Sequence, residues 1–425
     1  MIDQHVLYLD NVRGFENTYV PLTDVSFLVG ENSTGKTSVL KLLNLLADPR
    51  FLLLPHALLA DEENNLSTWS DLTSERTLRI GMIRRSTDKD GLVMPLGALV
   101  TYGEQDGQPI DTHFTCTVGT QEIAIKRIDR HVYARVRPNA IDSKADIRSL
   151  FGSWIKEQSA KAVPAGYQLL DMPKQLRGAS LFYPLSQVAK ESGLVPRLFD
   201  VHLAWLAPVR SKPRRTYDEA QRFFAPEGAH TPTLIRTLLL SRNATQMGMV
   251  RALENFGKNS GLFRTLATRE FGKGDAAPFQ LQIVLDKRAF NVTNVGYGVS
   301  QALPIVVEVL CRDSGSWFAI QQPEVHLHPR AQAALGDFVF EFASSQNKKF
   351  LIETHSDFMI DRYRISLRKS RSKKKPSSQI LFFERRNGKN TVTPLAITDS
   401  GELPVDQPKS YRHFFIKEQM DMLEL

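Results

Sequence analysis

The chain has little cysteine and no long apolar run. Cys116 and Cys311 are the only cysteines in 425 residues. Two distant cysteines exclude a disulfide framework and argue against a zinc site, so the composition favours a reducing compartment, and we expect a cytoplasmic protein. The longest charge-free stretch, residues 289–307, contains Asn, Gly, Ser, Gln and Pro, and does not predict a membrane span. The first ten residues include an acid and lack an apolar core, so no secretory signal is predicted.

The sequence also lacks a broad excess of charge of one sign. Apolar residues make up 42% and charged residues 24% of the chain, which is ordinary for a globular protein. The net charge is +8, and six basic residues without an acid lie between positions 368 and 375. This basic segment is either a site for nucleic acid or an acidic partner, or a solvated surface loop, and both interpretations stay open. Its basic residues are Arg368, Lys369, Arg371, Lys373, Lys374 and Lys375.

One segment carries a complete phosphate-binding pattern. Residues 30–37 read G-E-N-S-T-G-K-T, which matches G-x-x-x-x-G-K-[ST]. A strand-like apolar stretch precedes it at 25–29, and apolar residues at helical spacing follow it at 38–46. Strand, glycine-bounded loop and helix is the context that supports this motif, so the chain is predicted to bind ATP or GTP. The predicted phosphate-binding residues are Gly30, Glu31, Asn32, Ser33, Thr34, Gly35, Lys36, Thr37 and Ser38.

The chemistry of this loop follows from its residue types. Backbone N–H groups and the start of the helix are expected to surround the phosphates. Lys36 would place a positive charge on the outer phosphates, and the hydroxyl of Thr37 would ligate Mg²⁺. The loop therefore predicts Mg²⁺ and a nucleoside triphosphate, ATP or GTP, as cofactors.

Strand-like and helical patterns divide the rest of the chain. Residues 76–137 consist of short alternating runs separated by turn residues, which predicts an antiparallel sheet after the first helix. Residues 140–200 and 217–272 are predicted to be mainly helical, with a buried strand between them at 203–208. No heptad array or internal repeat is present, so no long coiled coil is predicted.

Three later segments predict the second half of a nucleotide site. In N-V-G-Y-G-V-S-Q at 294–301, Ser300 is predicted to cap a helix that has Pro304 in its first turn. An apolar strand at 317–320 leads into Q-Q-P-E-V-H-L-H-P, and a second leads into E-T-H-S-D at 353–357. Strand ends are where P-loop enzymes place a magnesium-supporting acid and a group that positions the nucleophile. Glu324, His326 and His328 resemble a metal cluster, but their spacing is not that of a zinc site.

These motifs, in this order, resemble the ATP-binding head of ABC-type ATPases of the OLD-like (AAA15/AAA21) class, which is related to SMC proteins. The loop corresponds to Walker A, residues 295–304 to the signature motif, residues 321–329 to Walker B with its D-loop, and residues 353–357 to the switch-histidine loop. Residues 11–15 and 206–217 resemble two further elements of this family.

The resemblance implies an α/β fold of the ABC-ATPase type in five regions. These are an N-terminal ATPase lobe with Walker A at 1–75, an antiparallel β insertion at 76–137, a mainly helical insertion at 138–278, a second ATPase lobe at 279–398, and a C-terminal tail at 399–425.

The resemblance also assigns roles to individual residues. Arg13 and Phe15 would contact the nucleotide, and the metal would be held by Thr37 and Gln321. The signature residues, acting on a nucleotide held by a second copy of the chain, would be Gly296, Gly298, Ser300 and Gln301. The catalytic positions would be Gln321, Gln322, Glu324 and His355.

The Walker B segment departs from the family pattern. The family usually has an acid at the position of Gln321 and often has one at that of Gln322. A neutral amide cannot accept a proton or offer a charged oxygen to Mg²⁺, so a slow or disabled ATPase is predicted. Two interpretations stay open: Gln321 is an engineered replacement of a glutamate that traps bound ATP, or Glu324 takes the acid role in a slow natural enzyme.

The function implied is a switch that forms a homodimer or higher oligomer around ATP and controls a separate effector, a nuclease or a toxin, in a bacterial anti-phage system. Only 70 residues follow His355, too few for the TOPRIM domain of OLD nucleases. The alternatives are a DNA clamp that uses the basic segment and the basic cluster Arg210–Arg215, and a catalytically weak assembly scaffold. A membrane partner is not expected.

Overall fold

The computed structural model describes most of the chain. The described residues are 4–48, 68–87, 93–118, 121–129, 131–138, 147–160, 162–170, 180–181, 183–184, 188, 203–218, 221, 223–274, 277–372, 374–412 and 414. They group into two compact units. The first is drawn from Met1–Thr23, Glu31–Val201 and Phe383–Pro394, and the second from Asp24–Gly30, His202–Phe382 and Leu395–Leu425. The predicted division into five regions stays a prediction.

The first unit contains an eight-stranded sheet in which each hydrogen-bonded neighbour is antiparallel. In spatial order the strands are β2 (Thr18–Leu22), β1 (Gln4–Asp10), β4 (Thr77–Thr87), β5 (Val93–Gln105), β6 (Gln108–Val118), β7 (Gln121–Ile128), β8 (His131–Pro138) and β9 (Gln168–Leu170). The antiparallel strands predicted at 76–137 are confirmed. The sheet is larger than expected because β1 and β2 pair onto β4, and β9 pairs onto β8.

Helices of the first unit are α1 (Lys36–Ala47), α2 (Trp69–Leu72) and α3 (Ile147–Gln158). Helix α3 buries Phe151 and Trp154 in a cluster with Tyr8 and Leu99 of the sheet. Such burial of large aromatic side chains on a sheet face accounts for why the short helix docks there. Much of the predicted helical region at 140–200, including 171–179 and 189–200, lies outside the described residues.

The second unit is built on a sheet with the strand order β10-β14-β15-β3-β16-β17. Its strands are β10 (Leu203–Leu206), β14 (Trp317–Gln321), β15 (Lys349–Glu353), β3 (Val25–Gly30), β16 (Ser378–Arg386) and β17 (Lys389–Ile397), of which the last two also contribute residues to the first unit. The first four run parallel to one another. Every residue of β3, β14 and β15 is buried, as continuous apolar runs of parallel strands predict.

A three-stranded antiparallel sheet and several helices complete the second unit. The strands are β11 (Thr265–Glu270), β12 (Phe279–Leu285) and β13 (Arg288–Asn291), and the helices are α4 (Thr231–Leu240), α5 (Ala244–Ser260), α6 (Tyr297–Cys311), α7 (Pro329–Gln346) and α8 (Asp357–Lys369). The prediction of helix through residue 272 is wrong at its end, because 265–270 pairs with β12 as a strand. Within the described ranges, no helix combines the length and hydrophobicity that a bilayer crossing needs.

Candidate nucleotide site

The phosphate-binding loop leaves the end of β3 through a series of left-handed residues. Gly30 has φ 145°, Ser33 has φ 62° and Gly35 has φ 94°. Glycine adopts these angles without steric cost, whereas Ser33 does so at a cost of about 1–2 kcal/mol. The turn brings the chain directly into α1, which begins at Lys36. The predicted order of strand, loop and helix is confirmed.

The start of α1 is suited to an anion. The helix has no side-chain cap, and its first turn contains no acidic residue. Helix N-termini carry N–H groups without intrahelical partners and a partial positive charge, and both attract phosphate oxygens. Lys36 is only 3% exposed, and its Nζ donates a hydrogen bond to the Glu31 carbonyl over 2.6 Å. The hydroxyl of Thr34 donates to the same carbonyl, so the loop is internally braced.

Phe15 supports this loop from behind. The side chain is fully buried, and a Cβ added to Gly35 would lie 2.4 Å from its ring. The amide of Asn390 donates to the carbonyl of Arg13 and also approaches Gly35. The buried position of Phe15 favours a packing role over the direct nucleotide contact predicted from the sequence. Arg13 has φ 48° and a half-buried side chain, and its contact with a phosphate stays a prediction.

In the second unit, three parallel strands bring polar groups to one edge. Leu28 of β3 is paired with Glu353 of β15, and Glu353 is paired with Gln321 of β14. Gly30, the first residue of the loop, therefore leaves the sheet at the edge where Gln321 and Glu353 lie. The side-chain amide of Gln321 donates to Glu353 Oε2 over 3.2 Å. This edge is the position in parallel α/β sheets where ligands bind.

Glu324 is fixed by the residues that follow β15. Its carboxylate accepts hydrogen bonds from the Thr354 hydroxyl over 2.8 Å and from the backbone N–H of His355 over 2.7 Å. Gln322 has φ 41°, and its backbone N–H donates to the carbonyl of Glu353. The structure therefore brings the predicted Walker B and switch-histidine segments together. The half-buried ring of His355 lies 6.0 Å from that of Phe414.

Arg210 is a member of this edge that was not predicted. It is 1% exposed and donates to the backbone carbonyl of Gln321 over 3.0 Å. Burial lowers the pKa of its guanidinium to about 10, while the charge of Glu324 acts in the opposite direction. The prediction that Arg210 belongs to a nucleic-acid-binding surface cluster is wrong, although Arg214 and Arg215 are exposed. Glu353 was also missed as a site residue, although it ends a strand and begins the E-T-H-S-D segment.

The signature helix starts earlier than predicted. Helix α6 begins at Tyr297 with Gly296 at its N-cap, so Ser300 is an internal residue and donates from its hydroxyl to the Tyr297 carbonyl. The predictions of Ser300 as the cap and of Pro304 in the first turn are wrong. Gly296 and Tyr297 are exposed, whereas Gly298, Ser300 and Gln301 are buried.

The close approach of α6 to the Walker B turn explains this register. A Cβ on Gly298 would lie 2.8 Å from the carbonyl oxygen of His326, and the ring of Tyr297 meets that of His326 edge-on. Only glycine permits such proximity to a backbone. The exposed start of the helix therefore lies at Gly296 and Tyr297, not at Ser300, and has no side-chain cap.

The remaining candidates are distributed as follows. His326 is exposed, and His328 caps α7 by accepting from the N–H of Ala331. No group of three possible metal ligands is arranged around a common point in the described part of the chain. In the basic segment, Arg371 and Lys374 are exposed, Arg368 and Lys369 form the last turn of α8, and Lys373 lies outside the described residues. Lys375 donates to the carbonyls of Leu367 and Asp399, which gives it a structural role.

The loop, the preceding buried strand and the uncapped helix together form the phosphate-binding arrangement of P-loop proteins. The model of the AAA ATPase domain family, AAA_15, matches residues 5–91 and 240–360. Over these two segments the chain is similar to an AAA ATPase domain, and the resemblance drawn from its motifs is confirmed. The two matched segments contain the phosphate-binding loop, the signature helix, the Walker B turn and His355.

Several solved structures show a similar arrangement at low identity. The SMC head domain from Thermotoga maritima is 9% identical, with 93% of this chain and 99% of that chain covered and a TM-score of 0.41. An SmcHead bound to the C-winged helix domain of ScpA is 10% identical, with coverages of 93% and 98% and a TM-score of 0.46. An Smc head with an extended coiled coil, bound to the C-terminal domain of ScpA derived from Pyrococcus furiosus, is 10% identical, with coverages of 100% and 99% and a TM-score of 0.41. A search of curated proteins gave no match.

Proposed function

We propose that this chain is an ATP-dependent molecular switch that dimerises around ATP and controls a separately encoded effector, such as a nuclease or a toxin, in a bacterial anti-phage system. The main support for nucleotide binding is the uncapped start of α1. It follows a loop whose residues include left-handed backbone angles, and its first residue is the buried Lys36. A helix start without a side-chain cap or an acidic residue, next to a lysine, suits phosphate groups.

The residues present fit ATP with Mg²⁺. The loop at 30–38 would hold the phosphates, and the hydroxyl of Thr37 would be a metal ligand. The motif resemblance implies the side-chain oxygen of Gln321 as a second metal ligand. When bound, the metal would neutralise charge on the phosphates. Glu324 and Gln322, with His355, would position the attacking water. Since Gln321 and Gln322 carry no charge, the proposed ATPase is slow, and the bound state is long-lived.

A nucleotide titration tests the binding step. Lys36→Ala should weaken ATP binding by about 10- to 100-fold, because a charge-assisted contact is removed. Lys41→Ala is the matched control, since it removes the same charge from the same helix five residues later and should bind ATP as the parent chain does. Equal losses in both variants would contradict the proposed role of Lys36.

The dimer is supported by the exposed start of α6 at Gly296 and Tyr297, which presents backbone N–H groups to a second molecule. Mass photometry should show twice the monomer mass in saturating Mg-ATP and the monomer mass without nucleotide. A single monomeric species under both conditions, with ATP bound, would rule out the dimer. Copurification of a nuclease that has no DNA affinity of its own would support the effector role.

A DNA clamp is the second candidate, and the exposed cations Arg371 and Lys374 favour it. The affinity for duplex DNA should then fall steeply with salt concentration. The double variant Arg371→Gln, Lys374→Gln should flatten the plot of log affinity against log salt by the equivalent of about two phosphate contacts. Arg385→Gln, at another exposed site, is the control. DNA binding that is absent, or unaffected by the double variant, removes this candidate. ATP-dependent assembly without measurable hydrolysis would instead favour a scaffold.

A further inference from the structure

A cavity of about 380 Å³ lies within the second unit, and its lining does not include Arg210, Gln321, Glu324 or Glu353 of the sheet edge described above. Its lining includes residues of the segment 211–218, the start of α4, Leu281 of β12, and one face of the signature helix α6. This volume is in the range of pockets that hold small organic molecules.

The floor of the cavity is apolar. Ile235, Leu281 and Leu303 line it and are at most 3% exposed, and Pro304 lies beside them. Such a surface favours a ring or a hydrocarbon body, because its burial removes apolar area from water on both sides.

The polar lining has two parts. Lys212 and Arg214 stand at the solvent-exposed side and outnumber the single acid there, Asp218. Deeper in, Thr231 is 3% exposed, and its hydroxyl has no hydrogen-bond partner among the residues that the structure describes. A buried hydroxyl without a partner costs free energy, so a ligand group that completes its bonding would be favoured there.

The basic wall of the cavity is a built structure. Tyr217 exchanges two backbone hydrogen bonds with Phe279 and stacks on its ring at 5.4 Å. Its hydroxyl accepts a hydrogen bond from the backbone N–H of Arg214 over 3.1 Å. These contacts hold Arg214 near the cavity before any ligand arrives, which lowers the entropic cost of binding.

We infer that this cavity is a binding site for a small organic anion that has an apolar body, distinct from the phosphate-binding loop. The anionic group would lie toward Lys212 and Arg214, the apolar body on Ile235 and Leu303, and a polar substituent within reach of Thr231. Opposite charge at the mouth and an apolar floor together select for a molecule that has both features.

The occupant would contact the signature helix directly. Ser300, Leu303 and Pro304 of α6 line the cavity, and Gly228, which also lines it, packs so closely on Pro304 that an added Cβ would lie 2.5 Å from it. Because α6 and the start of α4 both line the cavity, a ligand that fits would bias their spacing. Any effect on ATP-dependent dimerisation rests on the proposed function, whereas the binding itself does not.

The test uses phenyl phosphate as the probe, with phenol and inorganic phosphate as its two halves, titrated into the full chain by ligand-observed NMR. Phenyl phosphate should bind saturably and more tightly than either half. Comparable binding of phenol, or no saturable binding of phenyl phosphate, would overturn the inference. The titration is repeated in Lys36→Ala, where unchanged affinity separates this site from the nucleotide loop; loss of binding there would assign the probe to that loop and overturn the inference.

Two matched pairs of variants locate the site. Arg214→Gln should reduce the affinity for phenyl phosphate about 3- to 10-fold, whereas Arg215→Gln, at the exposed neighbour outside the lining, should not. Thr231→Val should weaken a probe with a para hydroxyl group, 4-hydroxyphenyl phosphate, relative to phenyl phosphate, whereas Thr237→Val on the exposed face of α4 should leave the ratio unchanged. Equal effects within either pair would show that the probe binds elsewhere.

Discussion

The side-chain amide of Gln321 donates a hydrogen bond to the carboxylate of Glu353 across 3.2 Å, at the carboxyl ends of two neighbouring parallel strands. Both residues are buried. The amide is therefore the donor that the buried carboxylate needs, and a glutamate at position 321 would replace this bond with a pair of like charges. Gln321, whose neutral side chain is expected to slow ATP hydrolysis, also supplies a hydrogen-bond donor to the carboxylate of Glu353.

Gln321→Glu tests this relationship. In metal-free buffer at pH 7 the variant should lose about 1–3 kcal/mol of unfolding free energy, because a buried hydrogen bond is lost and one of the two carboxyls must take up a proton or repel the other. Mg²⁺ should stabilise the variant more than the parent chain. Urea denaturation with and without Mg²⁺ measures both effects.

Gln322→Glu is the control, since the side chain of Gln322 is half-buried and only its backbone contacts Glu353. If the two variants lose equal unfolding free energy, the hydrogen bond between Gln321 and Glu353 does not specifically stabilise the carboxyl ends of these strands. Faster ATP hydrolysis by Gln321→Glu would support the interpretation of Gln321 as a trap, and an unchanged rate would rule it out.

The sequence alone predicted the elements whose conformation is determined by residues close together in the chain. Strand β3, the loop and α1 were identified because the glycine spacing, Lys36 and the apolar periods specify that arrangement within some twenty residues. Strands β14 and β15 were identified from continuous apolar runs.

The features that sequence reasoning missed depend on distant partners. Arg210 lies in a run that looks like a solvated basic cluster, yet its side chain reaches a carbonyl 111 residues away. Ser300 is a good cap by composition, but α6 starts at Tyr297 because Gly298 must pack on the backbone of His326. Strand β11 has no strong alternation, and its pairing with β12 decides its conformation. The parallel-strand rule could have placed Glu353 beside Gln321, since both end their strands.

The two glycines of the signature segment should differ sharply in their tolerance of alanine. Gly298→Ala should lower the unfolding free energy by about 1–3 kcal/mol, because the new methyl group would overlap the carbonyl oxygen of His326 at 2.8 Å. A Cβ on Gly296 meets nothing within 4 Å in the described structure, and its φ of −54° is ordinary for alanine. Thermal or chemical denaturation of the two variants checks this, and equal stability would mean that α6 does not approach the Walker B turn so closely.

Stability should depend on pH through Glu308, which is buried in α6. Burial alone would raise the pKa of Glu308, but hydrogen bonds from His230 and Arg312 outweigh it and hold the pKa below its ordinary value of 4.5. A carboxyl whose pKa is lowered by folding stabilises the protein above the unfolded pKa, and the stabilisation is lost as the pH falls through the folded pKa.

Glu308→Gln should therefore cost about 2–3 kcal/mol at pH 7, and the difference from the parent chain should shrink below pH 4.5. Denaturation midpoints measured from pH 7 to pH 3 test the sign. Asp361→Asn, at an exposed ion pair with Arg364, should show almost no difference at any pH. A gap that widens toward acid pH would contradict the arrangement of Glu308 and His230.

Phe15 connects the stability of the first unit to the shape of the phosphate-binding loop. Its ring packs against Gly35 and meets Phe383 edge-on at 6.3 Å, so Phe15→Ala should remove about 3–5 kcal/mol of unfolding free energy.

Phe15→Leu keeps most of the apolar volume but not the flat surface on which Gly35 rests. This variant should fold at a cost of less than about 1.5 kcal/mol and still bind ATP more weakly, because the loop is no longer held in its left-handed turn. Phe223→Leu, at a side chain that is 90% exposed, is the control for both measurements. Wild-type ATP affinity in Phe15→Leu would show that the loop keeps its shape without the ring, and the role of Phe15 would then be confined to the core.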